Sequence, residues 1–386
     1  MTAARPALER RILAALDASP SRIPVILGDS GTGRTRLLHR LRERLGRTSC
    51  QHIDVERSAS TPERFLATIT AASPFRAPAR TDGLTARDAF EATLIFFDQA
   101  RAAGSEPAAF LLDEVLELRT FESFPGLRNV QRDLVRVLAA SANRFVLTTR
   151  YVARAHRLLQ DATARFEVIH MPPLMPAEAR EILLAIDDGE TRHRSDADMQ
   201  ALVPAVHALS DARAGYASAI GEELADMVDS RGVGDPVSAL TALFSPDGRL
   251  TASCAFYYEL RLHRARGYGA LKAILEILAQ DEPLTLTEIA RRLRRTPGST
   301  KDYLSWLEDV DLVASERKRY SFNAPLLRLW VRLYCRPVLP TDEEVAREVQ
   351  AYALARLPQA EPAVAAGGRA EPAGNDRRPS SIIEID

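Results

Sequence analysis

Val25-Ile26-Leu27-Gly28-Asp29-Ser30-Gly31-Thr32-Gly33-Arg34-Thr35-Arg36-Leu37-Leu38 is the stretch that decides how this chain is read. It joins a short apolar run, a turn containing three glycines and the first turns of an amphipathic helix. A buried strand that feeds such a turn lets backbone N–H groups converge on a concave site, and the positive end of the helix dipole points into the same space. That combination is a cradle for phosphate. The spacing Gly28-x-x-x-x-Gly33-Arg34-Thr35 fits the Walker A pattern G-x-x-x-x-G-K-[ST] except at one position, where arginine stands for lysine. Gly31, Thr32 and Gly33 are expected to offer amides to a β-phosphate, with Gly28, Asp29, Ser30, Arg34 and Arg36 completing the cradle. Thr35 is the expected Mg²⁺ ligand.

Arg34 admits two accounts. A lysine ammonium is a compact point charge, whereas a guanidinium is wider and favours planar, bidentate contacts, so nucleotide binding can survive while hydrolysis weakens. Alternatively, Arg34 reflects a general preference for arginine, since lysine occurs only at 272, 301 and 318. The sequence leaves both open.

A length of 386 residues exceeds one ordinary core and predicts two or three domains. Lys and Arg total 51 against 52 Asp and Glu, so nothing global attracts nucleic acid and any basic surface must be local. Cys50, Cys254 and Cys335 lack CxxC or Cys-His spacing, which predicts reduced thiols and argues against a zinc site. Met1 to Arg11 contain no apolar signal core, and no apolar run is long enough to span a bilayer. The expectation is a cytoplasmic protein without a membrane partner.

Leu8, Ile12, Leu13 and Leu16 predict a helix over 7–18, and a second helix continues from the cradle to Leu45. A strand is expected at 50–55, a helix at 62–71 opened by Ser60 or Thr61, a surface loop at 73–85 and a helix at 86–102. Next comes Ala108-Ala109-Phe110-Leu111-Leu112-Asp113-Glu114, an apolar run ending in two carboxylates. This is the form of a buried parallel strand whose carboxyl end opens on a ligand crevice. It follows the cradle by roughly 80 residues, the gap usual for this pair of motifs. Asp113 is expected to hold Mg²⁺ through water, and Glu114 to polarise an attacking water. A helix over 125–140 leads to the strand Arg144-Phe145-Val146-Leu147-Thr148-Thr149-Arg150, which places Thr149 and Arg150 beside the acidic strand. Arg150 is expected either to sense whether a γ-phosphate is present or to be an ordinary surface arginine at a strand end. Another strand is expected at 166–170, and a helix after Pro172-Pro173-Leu174-Met175-Pro176, with a charged loop at 187–198.

The order of cradle, acidic strand, strand ending Thr-Thr-Arg and Pro-Leu-x-x-x-Glu-Ala resembles the AAA+ ATPases. It is most similar to their prokaryotic branch and the related STAND signalling NTPases, where an arginine ends the fourth core strand. Gly234-Asp235-Pro236-Val237-Ser238-Ala239-Leu240 looks like the G-x-P element that those families place in a helical lid behind the nucleotide. The resemblance implies an α/β P-loop NTPase with a parallel-sheet core over 1–175 and a helical lid over 176–262. It also implies ATP as the nucleotide, Glu114 and Arg150 as the catalytic pair, and a possible homo-oligomer.

Beyond the lid, apolar helices at 269–279 and 286–295, a turn at Thr296-Pro297-Gly298, a helix over 299–310 and a ribbon formed by 312–313 and 319–322 follow the winged-helix plan. Together with Tyr320-x-Phe322-x-x-Pro325-Leu326-Leu327-Arg328-Leu329-Trp330, this resembles the end of the archaeal-type ATPase family, which joins an AAA+ core to a winged helix. The winged-helix domain is expected over 263–340. In a double-stranded DNA reading Ser299, Thr300, Lys301 and Tyr303 enter the major groove while Arg317 and Lys318 meet phosphates. A protein partner is the competing reading, because Asp302, Glu308, Asp309, Asp311 and Glu316 dilute the positive field. A last helix is expected over 341–357, and the alanine, glycine, proline and charge of 358–386 predict a disordered tail whose apolar tip either adds to a partner's sheet edge or does nothing. The combined expectation is an ATP-operated switch with slow hydrolysis, or a catalytically silent nucleotide-binding regulator.

Overall fold

The computed structural model describes residues 5–76, 83–162, 164–187, 195–263 and 267–357. The expected tail over 358–386 and the middle parts of the two expected loops lie outside the described residues. Among the described residues no helix is long and apolar enough to cross a membrane.

Five parallel strands form the core sheet: β1 (Ile23–Leu27), β2 (Cys50–Asp54), β3 (Ala109–Asp113), β4 (Arg144–Thr149) and β5 (Phe166–His170), in the order β2-β3-β4-β1-β5. Every residue of β1 and β3 is buried, as expected of parallel strands covered on both faces. Neighbours in β3 face opposite ways, and each face has its own core. Leu111 joins Ile26, Val146 and Ile169 beneath α1 (Pro6–Leu16) and α2 (Arg34–Leu45), which supply Ile12, Leu16, Leu37, Leu38 and Leu41. Phe110 points the other way, stacking on Phe145 at 5.6 Å and meeting the edges of Phe96 and Phe97. That face is roofed by α3 (Val55–Ser58), α4 (Pro62–Ala71), α5 (Ala86–Gln99), α6 (Val130–Ala140) and α7 (Val152–Leu159). Because β1 lies between β4 and β5 and not beside β2, the chain reverses direction across the sheet at β1, and the crevice at the strands' carboxyl ends opens there.

The helix expected over 125–140 begins only at Val130. Residues Val115–Ser123, ahead of it, form a 3₁₀ turn whose Val115, Leu118 and Phe121 are buried, a three-residue rhythm that a helical reading misses.

The helices α8 (Pro176–Asp187), α9 (Asp196–Leu209), α10 (Ala214–Arg231) and α11 (Pro236–Leu243) make an all-helical lid, and α12 (Arg249–His263) leads out of it. The last module contains α13 (Tyr268–Gln280), β6 (Leu284–Thr285), α14 (Leu286–Leu293), α15 (Pro297–Asp309), β7 (Val313–Glu316) and β8 (Arg319–Phe322). Its sheet order is β6-β8-β7. The expected two-stranded ribbon thus has a third strand, two residues long and too short to leave a pattern. The expected turn at 296–298 is the start of α15: Thr296 accepts the Ser299 N–H as N-cap, and Pro297 takes the first helical position, where its missing N–H costs nothing. Helix α16 (Pro325–Tyr334) follows, and α17 (Asp342–Leu354) folds back on the lid, the Tyr352 hydroxyl donating to the Leu209 carbonyl at 3.2 Å.

Candidate nucleotide site and DNA-reading surface

The cradle is built by backbone geometry. Gly31 and Gly33 have φ of 82° and 92°, a left-handed region that side chains with a Cβ seldom occupy, and a Cβ on Gly28 would lie 2.8 Å from that of Met171. Gly33 is the N-cap of α2 and offers no side chain to the first helical N–H groups, which therefore remain open to a ligand. A cavity of about 350 Å³ is lined by Asp29 to Gly31, Gly33 to Arg36, Asp113, Glu114, Arg150 and Glu56.

Strand register brings both motifs to one place. Thr35 Oγ1 donates to Asp113 Oδ2 at 2.6 Å, and the Thr148 hydroxyl donates to the other carboxylate oxygen of Asp113. Glu114, at the left-handed end of β3 with φ 55°, receives Arg34 Nη2 at 2.6 Å and the Arg150 N–H at 3.0 Å, and Arg150 Nε lies 3.2 Å from it. Arg150 also pairs with Glu56. All of this is sheltered, with Arg34 7 %, Glu114 6 % and Arg150 3 % exposed. Burial pulls the Arg150 guanidinium down, but the carboxylates of Glu114 and Glu56 outweigh it and hold the group above its usual value. For Glu56 burial wins: its carboxyl is raised despite Arg150.

The cradle is also fastened from outside the core. Asp29 accepts Arg213 Nη2 at 2.9 Å and Asn323 Nδ2 at 3.0 Å, and Arg213 in turn donates to the Asn323 carbonyl at 2.9 Å. The Gly215 N–H donates to the Gly31 carbonyl at 2.7 Å. The start of α10 and the residue after β8 therefore meet on the phosphate loop. A second cavity, about 510 Å³, lies behind that loop between Gly28, Met171, Pro172 and, from the winged module, Asp311 and Asn323. Asp311 accepts the Val152 N–H at 3.0 Å, and Arg157 reaches Asp309 at 2.5 Å. Burial pushes the Asp311 carboxyl up to about 7 against the lowering charge of Arg261.

Some expectations need correction. Gly234-Asp235-Pro236 does not stand behind the nucleotide: Asp235 caps α11 by accepting the N–H groups of Val237 and Ser238, and Gly234 abuts Leu224 and Met227. The lid touches the cradle through Arg213 to Gly215, at the opposite end of α10. Arg36 points to the lid, donating to Ser218 Oγ at 3.2 Å. Thr300 is wholly buried, its hydroxyl bonded to the Thr296 carbonyl, and cannot reach a base edge. Ser299 and Tyr303 are half-buried and Lys301 is exposed. Arg317 and Lys318 stand exposed at the tip of the wing, in a two-residue turn with φ 50° and 65°. Sequence reasoning missed Glu56, Thr148, Arg213 and Asn323. Nothing in their spacing marks them.

The residues present suit a magnesium nucleotide. Gly31, Gly33, Arg34 and Thr35 leave their amides unclaimed at a helix start, whereas the expected amide donor Thr32 gives its N–H to the Asp29 carbonyl at 3.3 Å; Arg34 Nη1 is buried without a hydrogen-bond partner among the described residues, and Thr35 and Asp113 converge as oxygen donors.

Comparison with known proteins agrees on the fold. Residues 270–313 match the winged helix-turn-helix DNA-binding family. The Walker-type ATPase of Pyrococcus abyssi shares 16% identity over 85% of this chain and 95% of that one, with a TM-score of 0.62. The Aeropyrum pernix ORC1 protein in complex with DNA gives 18% identity, 90% and 93% coverage and a TM-score of 0.48. The Thermotoga maritima RuvB Holliday junction branch migration motor gives 13% identity, 83% and 92% coverage and 0.44. No curated protein matches the sequence. The fold is an α/β, AAA+-like P-loop NTPase fold. In this chain the sheet core, the helical lid and the C-terminal winged helix follow one another, and the fold of the Pyrococcus abyssi protein is similar over most of that length.

Proposed function

We propose that the protein is an ATP-operated switch that acts on double-stranded DNA through its winged helix, with 1–175 as nucleotide core, 176–262 as lid and 263–340 as reader. The observation that carries this reading is Asp29, a residue of the phosphate loop that is bonded at once to the lid (Arg213) and to the winged module (Asn323). A ligand that settles on the amides of Gly31, Gly33, Arg34 and Thr35 disturbs that three-way junction. Thr35 and Asp113 would hold Mg²⁺, which when bound neutralises phosphate charge. Arg34 and Arg150 are the cations available to a γ-phosphate, and Glu114 is the base available to a water. The reader meets the groove with Ser299, Lys301 and Tyr303 and the backbone with Arg317 and Lys318. A homo-oligomer formed on ATP belongs to the same proposal.

A second reading, a nucleotide-bound but catalytically silent regulator, is favoured by the bridge from Arg34 to Glu114. A general base must reach the proton it takes, and both oxygens of Glu114 are engaged by guanidinium or backbone donors. Melting curves with and without magnesium and millimolar ATP test the switch; no shift removes it. Phosphate release by the native chain and by Glu114→Gln separates the readings. Slow turnover lost in the variant supports the ATPase, and equal background in both supports the silent regulator.

A further inference from the structure

A groove of about 1110 Å³ on the core, which shares no lining residue with the phosphate cradle, is lined by six arginines: Arg119, Arg128, Arg132, Arg136, Arg154 and Arg157. Against them stand Glu122 beside Arg119, Asp309 on Arg157, Asp133 on Arg136 at 2.8 Å, and Asp161, so the arginines still outnumber the carboxylates. For a chain whose charges nearly cancel overall, this is a concentrated positive surface. Arg132 and Arg136 stand one turn apart on α6, about 6 Å along its axis by the helical rise, and Arg128 extends the row just before the helix. Across the groove α7 contributes Arg154 and Arg157 and carries no acidic residue. Arg128 and Arg132 are exposed and form no ion pair among the described residues.

Arg154 is the tensest member. Its guanidinium lies 4.6 Å from the Tyr151 ring centre, its Nε is buried without a hydrogen-bond partner among the described residues, and both burial and the neighbouring Arg119 charge pull its pKa down. An anion in the groove relieves that repulsion and supplies the missing acceptor. Repeated guanidinium forks suit a repeating phosphate better than one small anion, since each fork can take two oxygens. One end of the groove reaches Asp309, the last residue of the reader helix α15, so a polymer held there adjoins the winged module.

We infer that this arginine groove between α6 and α7 is a second nucleic-acid site, gripping the phosphate backbone of duplex DNA without reading its sequence. It shares with the proposed function the premise that DNA is a partner, but uses none of the winged-helix residues assigned there to the groove or the backbone. The test measures binding of the full chain to a fluorescent duplex over a salt series, for native protein, the triple variant Arg128→Gln/Arg132→Gln/Arg136→Gln and the wing variant Arg317→Gln/Lys318→Gln. Each lost phosphate contact flattens the log–log salt slope by about 0.9. The groove triple is expected to flatten it by about 2 to 3 and weaken binding about tenfold or more near 0.1 M salt, with an unchanged melting curve. A native slope in the triple overturns the groove while leaving the winged-helix reading to the wing variant. A native slope in the wing variant alone does the reverse. No native binding at low salt ends both. Polyglutamate that binds as tightly as duplex, and loses binding in the same triple, assigns the groove to acidic protein and overturns the DNA assignment.

Discussion

Arg34 is both the departure from the usual pattern and the partner of the expected base. Its guanidinium spans to Glu114 at 2.6 Å, a contact that a shorter-reaching point charge makes less well than a planar fork. Arg34→Lys is therefore expected to free Glu114 and raise phosphate release about tenfold; an unchanged rate would show that the bridge does not restrain the site. Asp311 supplies a pH dependence. Its folded pKa of about 7 lies above the ordinary 3.8, so the folded chain holds a proton that the unfolded chain has released. Stability from this group is thus full below the ordinary value, declines as pH rises through the window up to about 7, and is level above it. Asn at this position tolerates the left-handed φ of 52° and still accepts the Val152 N–H. Melting temperature followed from pH 4 to 8 should fall less steeply for Asp311→Asn than for the native chain, and parallel curves would refute the assignment.

Among elements, α10 and α15 owe their placement to their first residues. Arg213 precedes α10, is 8 % exposed and neutralises Asp29. Removing one member of a sheltered pair leaves its partner's charge uncompensated, so Arg213→Ala should cost about 3 kcal/mol in urea unfolding. A loss below about 1 kcal/mol would mean that Asn323 alone satisfies Asp29. Thr296 caps α15, and Thr296→Ala should cost about 1 kcal/mol by the same measurement. Helix existence was readable from apolar spacing, as in α1, α2 and α17. Helix starts were less so: the expected turn at 296–298 is a cap followed by an N1 proline, and the segment 115–123 follows a three-residue rhythm that mimics neither helix nor strand.

For the whole molecule, the consequence is coupling. Under the proposed switch, whatever shifts the Asp29 junction shifts lid and winged module together, and linkage makes the effect reciprocal. Duplex affinity should differ with and without magnesium nucleotide by the 5- to 150-fold range usual for coupled sites. Asn323→Ala should bring that ratio towards one while nucleotide still raises the melting temperature. An undiminished ratio would place the coupling elsewhere.

Local order was legible in the chain itself. The spacing of Gly28 to Thr35, the apolar strand ending in Asp113 and Glu114, and the periodicity of the winged helix lie within short stretches, where steric and hydrophobic rules act between near neighbours. The closure of the site belongs to tertiary structure. Arg34 meets Glu114 across 80 residues, Arg213 meets Asp29 across 184 and Asn323 meets Asp29 across 294. Such pairs arise only when strand order and lid docking bring distant segments together, and charged side chains scattered through an arginine-rich sequence carry no mark of the partner that packing assigns them.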